Sequence, residues 1–166
     1  MRHLQLQSEK AQGILAIARH FVRCYVAARD GLKQLGILRS ERTLQGDYAE
    51  WVAAQVLGLQ LVASGVEKAI DARDNAGHTY QVKSRVVENL RQNTSFDFHN
   101  IADRFDFLVL VFLSSSFEVL AILKVLYEVV QELGSQTAST FRFRWNRSVT
   151  SDPRIERVVW TDDDTA

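Results

Sequence analysis

A run of seven apolar residues, FLVLVFL at positions 107–113, constrains the fold more than any other segment of this chain. The run lacks the alternating polar residues of a half-exposed strand, and a membrane-spanning helix would need about 20 apolar residues. An unbroken apolar strand of this length is typical of a strand buried on both faces of a sheet. We therefore expect a single α/β domain built around a mixed sheet.

Helical and extended patterns precede this run. Residues 8–35 carry apolar side chains at helical spacing and predict a long first helix. A second helix is predicted for residues 43–57, because a threonine can cap its start and a glycine follows its end. A short extended segment at 59–63 and a β-hairpin at 68–85 follow.

The rest of the chain predicts both strands and helices. We expect, in order, a loop with a short helix near 98–104, strands at 107–113 and 117–125, a helix at 126–133, and an edge strand at 141–147 with its aromatic side chains inward. The single domain then comprises an N-terminal helix (1–36), a core (43–133) and a C-terminal basic and aromatic extension (134–166).

The composition of the chain excludes few classes of function. Twenty basic and twenty acidic residues give a formal net charge of zero, so charge does not indicate a polyanionic partner. The N-terminal stretch MRHLQLQSEK lacks the apolar region of a signal peptide, so we expect a cytoplasmic protein with no membrane partner. The one cysteine, Cys24, lies in a helical apolar pattern and is expected to be buried.

The hairpin at 68–85 carries polar residues where a strand would normally present apolar ones. The tripeptide Asn75-Ala76-Gly77 fits a three-residue turn that is closed by a left-handed glycine. Counting outward from it places Asp71 opposite Gln81, with Lys83 on the same face. The same register places Ala72 opposite Tyr80 and Arg73 opposite Thr79. On spacing alone, the solvated face of an ordinary hairpin is the favoured interpretation of these polar residues.

Two further features favour a functional site over a solvated face. Glu50 lies in the middle of the second helix, and Gly46, one turn earlier, would let that helix lie close against the sheet and direct Glu50 towards the hairpin. The apolar run that follows places the hairpin in the interior of a sheet. Asp74 is expected to cap the turn, with a role as a second acid as the alternative.

With these residues the sequence resembles the PD-(D/E)xK, or restriction-endonuclease-like, nuclease superfamily. Glu50 on the first core helix, Asp71 on a strand and Gln81-Val82-Lys83 on the next strand follow that superfamily's order. The segments GDYAEWVAAQVLGLQLV and YQVKSR are similar to a group of short bacterial members. The motif region covers residues 43–85. The resemblance implies a three-layer α/β/α core with a mixed central β-sheet, preceded here by the long N-terminal helix.

The resemblance implies a metal-dependent nuclease, a Mg²⁺-dependent phosphodiesterase (endonuclease) that acts on DNA. A role in restriction or defence is a further expectation. Asp71 would be the principal ligand of Mg²⁺ or Mn²⁺, beside the Gln81 side-chain oxygen and the Val82 carbonyl. Glu50 would bind directly or through water, and Lys83 would orient the nucleophilic water. Gln81 departs from the more familiar Glu and removes one negative charge, which weakens the expected metal affinity.

Four arginines are candidates for phosphate contacts. Arg85 follows Lys83 on the same face, and Arg142, Arg144 and Arg147 interleave with aromatic residues near the C-terminus. DNA is the expected partner, with a homodimer through the N-terminal helix and a separate recognition subunit as further expectations. The alternative functions are a catalytically inactive DNA-binding or assembly module on the same fold, and a protein-interaction domain that uses the first helix.

Overall fold

The computed structural model describes residues 17, 20, 21, 23–39, 44–63 and 69–159, and the chain divides into two units, Met1–Glu41 and Arg42–Ala166. In the first unit residues 23–34 form helix α1, and the left-handed φ of +71° at Gly36 suits the end of a helix. The predicted start of this helix at Ser8 lies outside the described residues. In the described part of the chain, no helix combines the length and hydrophobicity that crossing a membrane requires.

Helix α1 corrects one expectation about the core. Cys24 is exposed, with its sulfur 3.6 Å from His20 Nε2, so the prediction of a buried cysteine is wrong. Its apolar neighbours Phe21 and Tyr25 are exposed as well, by 66% and 67%. Helical periodicity in a sequence does not say whether a neighbouring element covers the apolar side chains.

The second unit contains the sheets, with three helices and nine strands among residues 44–63 and 69–159. In chain order these are α2 (Leu44–Leu57), β1 (Gln60–Leu61), β2 (Ala72–Arg73), β3 (Thr79–Val86), β4 (Thr94–Phe98), β5 (Phe107–Leu113), β6 (Val119–Leu126), α3 (Tyr127–Leu133), β7 (Ser135–Gln136), β8 (Phe141–Trp145), α4 (Arg147–Thr150) and β9 (Glu156–Val158).

A six-stranded sheet in the order β1-β2-β3-β5-β6-β9 forms the centre of this unit. Strands β3 and β5 run parallel, and the other neighbours run antiparallel, so the sheet is mixed as expected. Within β5, the six residues Leu108–Leu113 are each 0% exposed. The expected α/β class and the strand buried on both faces are therefore confirmed.

Different layers cover the two faces of the central sheet. On one face, Ala49 and Ala53 of α2 pack with Tyr80, Val82 and Val109. On the other face, a second sheet in the order β4-β8-β7 packs together with α3 and α4. Because a sheet supplies much of the second outer layer, the arrangement is richer in strand than the expected α/β/α sandwich.

The second sheet overturns two sequence predictions. Residues 94–98 form β4 where a loop and then a helix near 98–104 were expected, and residues 99–104 form turns. Strand β8 lies between β4 and β7, so it is not an edge strand. Its aromatic side chains do face inward as predicted, since Phe141, Phe143 and Trp145 are all buried. Strand β8 was predicted at an edge because its partner β4 was not foreseen.

Two glycines provide a matched test of this packing. A Cβ at Gly134 would clash with Cε1 of buried Phe141 and lie 2.8 Å from the carbonyl oxygen of Val130. A Cβ at Gly46 would meet no described atom within 4 Å. The expectation that Gly46 permits close helix packing is therefore wrong. We expect Gly134→Ala to lower the free energy of unfolding by about 1–3 kcal/mol through overpacking.

The control Gly46→Ala should instead raise the free energy of unfolding by about 0.5–1 kcal/mol, because alanine is the better helix former. Chemical denaturation of both variants measures the two effects. Equal stability of Gly134→Ala and the wild type would contradict the packing of Phe141 against this glycine.

Candidate hairpin site

The hairpin formed by β2 and β3 brings together three of the predicted site residues, Asp71, Gln81 and Val82. Its ladder pairs Ala72 with Tyr80 and Arg73 with Thr79, which confirms the register counted from the turn. One residue beyond the ladder, the Asp71 backbone N–H donates to the Tyr80 carbonyl at 2.8 Å. The Asp71 carboxylate accepts from the Val82 N–H at 2.7 Å. Asp71 therefore bonds to the residues on both sides of Gln81.

Gln81 contains a buried oxygen whose hydrogen-bonding capacity is unused. Among the described residues, its Oε1 is fully shielded from solvent and has no hydrogen-bond partner. Leaving a buried acceptor unsatisfied costs about 1–3 kcal/mol. A polar side chain at this position is therefore unfavourable for folding alone, which is a physical reason to ask what else Gln81 binds.

Alternate residues of β3 face opposite layers. Tyr80 and Val82 belong to the cluster that packs against α2, and Ser84 Oγ accepts a hydrogen bond from Gln45 Nε2 of α2 at 3.1 Å. Lys83 lies on the other side. Its Nζ is 5.3 Å from the centroid of the Phe98 ring on β4.

Glu50 lies on the helix that covers the opposite face. It is half-buried in the middle of α2, next to Ala49, which is 1% exposed. Helix α2 packs against Ala72 and Tyr80 of the hairpin, so Glu50 is carried on a helix adjacent to Asp71. Its participation in one site with Asp71 stays a prediction.

The predicted phosphate-binding arginines divide into two pairs. Arg85 donates from Nε to the Ser95 carbonyl at 2.9 Å and lies over the Phe96 ring, which ties β3 to β4. Arg142 forms a bidentate pair with Asp97 at 2.7 and 3.2 Å. The Arg142 hydrogen bonds lower the pKa of Asp97, helped by the charges of Arg85 and Lys83. The other pair, Arg144 and Arg147, is exposed.

Asp74 organises the turn more extensively than a simple cap. Its Oδ1 accepts the backbone N–H groups of Ala76 and His78, both at 2.9 Å. Its Oδ2 lies 2.8 Å from His78 Nδ1 and accepts from the Tyr80 hydroxyl at 3.1 Å. The His78 hydrogen bond is the main cause that lowers the pKa of Asp74 to about 2, and burial, followed by Asp74, raises the pKa of Tyr80 to about 12. The capping role expected of Asp74 is confirmed.

Two further acids were not foreseen as structural residues. Asp106 Oδ2 accepts from the Thr79 backbone N–H at 2.7 Å and from its hydroxyl at 2.8 Å, which joins the starts of β3 and β5. The pKa of Asp106 is lowered chiefly by the Thr79 backbone hydrogen bond. Asp47, one turn before Glu50 on α2, is only 4% exposed. Nothing in its sequence context distinguishes Asp47 from an ordinary acid in the first turn of a helix.

The oxygen groups at the hairpin fit a hard divalent cation. The residues that the structure describes contain no cluster of three or more His, Cys, Asp or Glu side chains suited to a metal ion. The predicted set includes only two such side chains, Glu50 and Asp71, and adds an amide and a backbone oxygen. The Asp71 carboxylate supplies anionic oxygens, one of which accepts the Val82 N–H. Mg²⁺ takes such oxygen ligands and retains several waters.

No protein-family model matches the chain, and none of the curated proteins matches it significantly. The interpretation of the hairpin therefore depends on the residues and contacts described above.

The Asp74 cluster predicts acid sensitivity of the hairpin. Because the folded-state pKa of Asp74 is lowered from 3.8 to about 2, its contribution to stability is present above about pH 4 and is lost as the pH falls towards 2. We expect Asp74→Asn to unfold at a lower temperature than the wild type at pH 7 and to lose that difference near pH 2.

Thermal unfolding at several pH values measures this convergence. Glu118→Gln, which alters an exposed acid in the turn before β6, serves as the control and should show no such convergence. A constant difference between Asp74→Asn and the wild type from pH 7 to pH 2 would exclude the carboxylate as its source.

Proposed function

We propose that this protein is a metal-dependent nuclease whose site is the β2–β3 hairpin, and that its substrate is DNA. The observation that carries the proposal is the buried Oε1 of Gln81, which has no hydrogen-bond partner among the described residues. Gln81 lies between Tyr80 and Val82, the two residues to which Asp71 bonds. A bound cation would satisfy this oxygen and offset the cost of burying it. A purely structural hairpin gives no such reason for a glutamine at this position.

Each residue of the site has a distinct role in the proposal. Asp71 is the principal ligand, Gln81 and the Val82 carbonyl contribute neutral oxygens, and Glu50 binds directly or through water. When bound, Mg²⁺ or Mn²⁺ neutralises charge on the scissile phosphate and lowers the pKa of a coordinated water. Lys83 orients that water and stabilises negative charge on the phosphate oxygens.

The restriction-endonuclease-like fold is part of this proposal. Support comes from the order of elements, in which α2 precedes a hairpin whose strands carry Asp71 and Gln81-Val82-Lys83, within a mixed sheet. The burial of β5, which pairs with β3 in the same sheet, also agrees with a site at a sheet that is covered on both faces.

DNA as the substrate is supported by cations on the face of β3 that points towards β4. Arg142 of β8 pairs with Asp97 of β4, and the charges of Lys83 and Arg85 on β3 also lower the pKa of this carboxylate. Exposed Arg144 adds a further positive charge on β8. A homodimer through the exposed side chains of α1 and a separate recognition subunit remain further proposals about partners.

A second candidate is a DNA-binding or assembly module of the same fold that does not cleave. Two observations favour it: Lys83 lies over the Phe98 ring, and the guanidinium of Arg142 is held by Asp97. Such partners stabilise the protein without any substrate. This candidate predicts salt-dependent binding of DNA and no cleavage with either Mg²⁺ or Mn²⁺.

Cleavage assays with Lys83→Met separate the two candidates. We expect the wild type to cut DNA only with Mg²⁺ or Mn²⁺. Lys83→Met should cut at least about 100-fold more slowly, because a charge-stabilising group is lost. Lys124→Met is the matched control, since Lys124 is also half-buried and its Nζ lies 4.5 Å from a phenylalanine ring centroid. Cleavage by Lys83→Met at the wild-type rate would contradict the catalytic role, and absence of wild-type cleavage would favour the silent module.

Substitutions at Gln81 test the metal site without an activity readout. Gln81→Glu adds a charged ligand and should tighten Mn²⁺ binding by about tenfold or more, measured by calorimetry. Gln81→Met removes the unsatisfied oxygen, so it should raise the unfolding temperature in EDTA and abolish stabilisation by Mn²⁺.

Gln92→Met, on an exposed loop, is the control for loss of an amide, and it should keep the wild-type response to Mn²⁺. Equal stabilisation of the wild type and Gln81→Met by Mn²⁺ would place the metal elsewhere.

A further inference from the structure

A cavity separate from the hairpin opens beside β6 and the residues that follow β8. Its volume is about 780 Å³, within the range of about 300–1,000 Å³ that is usual for small-molecule sites. Its walls come from β6, from Leu90 and Arg91 after β3, and from the segment that runs from the end of β8 into β9. Strand β6 is two strands from β3 in the central sheet, so this cavity is distinct from the candidate metal site.

One part of the cavity wall is apolar and held in place. Leu123, Trp145 and Ile155 line it, and both Leu123 and Trp145 are nearly fully buried. The Trp145 Nε1–H donates to the Leu90 carbonyl at 3.0 Å, which uses its single donor. The indole therefore presents a fixed apolar surface that suits a flat or aliphatic group of a ligand.

The cavity is also positively charged. Arg91, Arg147 and Arg157 line it, all three are exposed, and no acidic residue is among the lining residues. Within the described chain none of the three guanidinium groups forms a salt bridge. The nearby acids pair with other residues. Asp152 and Glu132 pair with Arg154 at 2.8 and 2.6 Å, and Glu156 pairs with Lys124 at 3.5 Å.

We propose that this cavity binds a small phosphate monoester with an aromatic or aliphatic group, of the size and chemistry of a nucleoside monophosphate. The arginines bind the phosphate, because guanidinium groups match its oxygens in bidentate geometry. The apolar part of the ligand packs on Leu123, Trp145 and Ile155. This binding site is independent of the proposed nuclease activity.

Calorimetric titration of the full chain with three probes tests the assignment. Adenosine monophosphate should bind at least about tenfold more tightly than either inorganic phosphate or adenosine, because each of these lacks half of the contacts. Arg147→Gln and Arg157→Gln should each weaken binding of adenosine monophosphate by about tenfold or more. Arg104→Gln, which alters an exposed arginine that pairs with Glu128 outside the cavity, should leave the affinity unchanged.

Several outcomes would overturn the assignment. They are no binding of adenosine monophosphate, equal affinity for adenosine, and unchanged affinity in both Arg147→Gln and Arg157→Gln. Binding of DNA that lacks terminal phosphates, with the same dependence on these arginines, would assign the surface to nucleic acid instead. Circular dichroism of each variant verifies folding, and Arg157→Lys should retain part of the affinity that Arg157→Gln loses. Loss of DNA cleavage in the Lys83→Met variant concerns only the proposed nuclease activity and does not test this binding site.

Discussion

The parallel pairing of β3 with β5 is the interaction on which the larger unit depends. Seven residue pairs, from Tyr80–Phe107 to Val86–Leu113, join the two strands, and the Asp106–Thr79 hydrogen bonds hold their starts in register. Parallel neighbours cannot be joined by a tight turn, so the chain must cross over between them. This crossover contains β4, which supplies the first strand of the second sheet. The layer over the second face thus follows from the parallel pair.

The same pairing explains why the hairpin carries polar residues inside a layered structure. Strand β3 pairs with β5 from Tyr80 to Val86 and with β2 at Thr79 and Tyr80, and its polar residues are half-buried. Polar side chains in such a position need hydrogen-bond partners within the protein. Arg85 bonds to the Ser95 carbonyl, Ser84 bonds to Gln45, and the Asp71 carboxylate bonds to the Val82 N–H. Gln81 Oε1 has no such partner within the part of the chain that the structure describes. A cation at this position would complete the set of polar interactions around β3.

Local patterns in the sequence predicted the elements that depend on local chemistry. The glycine turn at Gly77 set the hairpin register, and the unbroken apolar run identified β5. Strand β4 was missed because it contains only two apolar residues, Phe96 and Phe98, and its partner β8 lies far along the chain. The period of two in TSFDF was a usable signal, yet its meaning depends on pairing with FRFRW.

Long-range contacts also decide the part of the site that the sequence did not predict. The engagement of Arg142 by Asp97 joins residues 45 positions apart, and no local spacing predicts such a pair. Exposure of Cys24 and the open space around Gly46 likewise depend on neighbouring elements rather than on helical periodicity. The polar residue types at the hairpin predicted the position of the candidate site, whereas only the fold shows which of these residues have protein partners.

A crystal structure of the protein soaked with Mn²⁺, with anomalous diffraction, tests the central claim most directly. A metal site predicts an anomalous peak at about 2.0–2.3 Å from a carboxylate oxygen of Asp71 and from Gln81 Oε1. The contradicting result is a hairpin with no anomalous peak and with Gln81 Oε1 hydrogen-bonded to a protein donor.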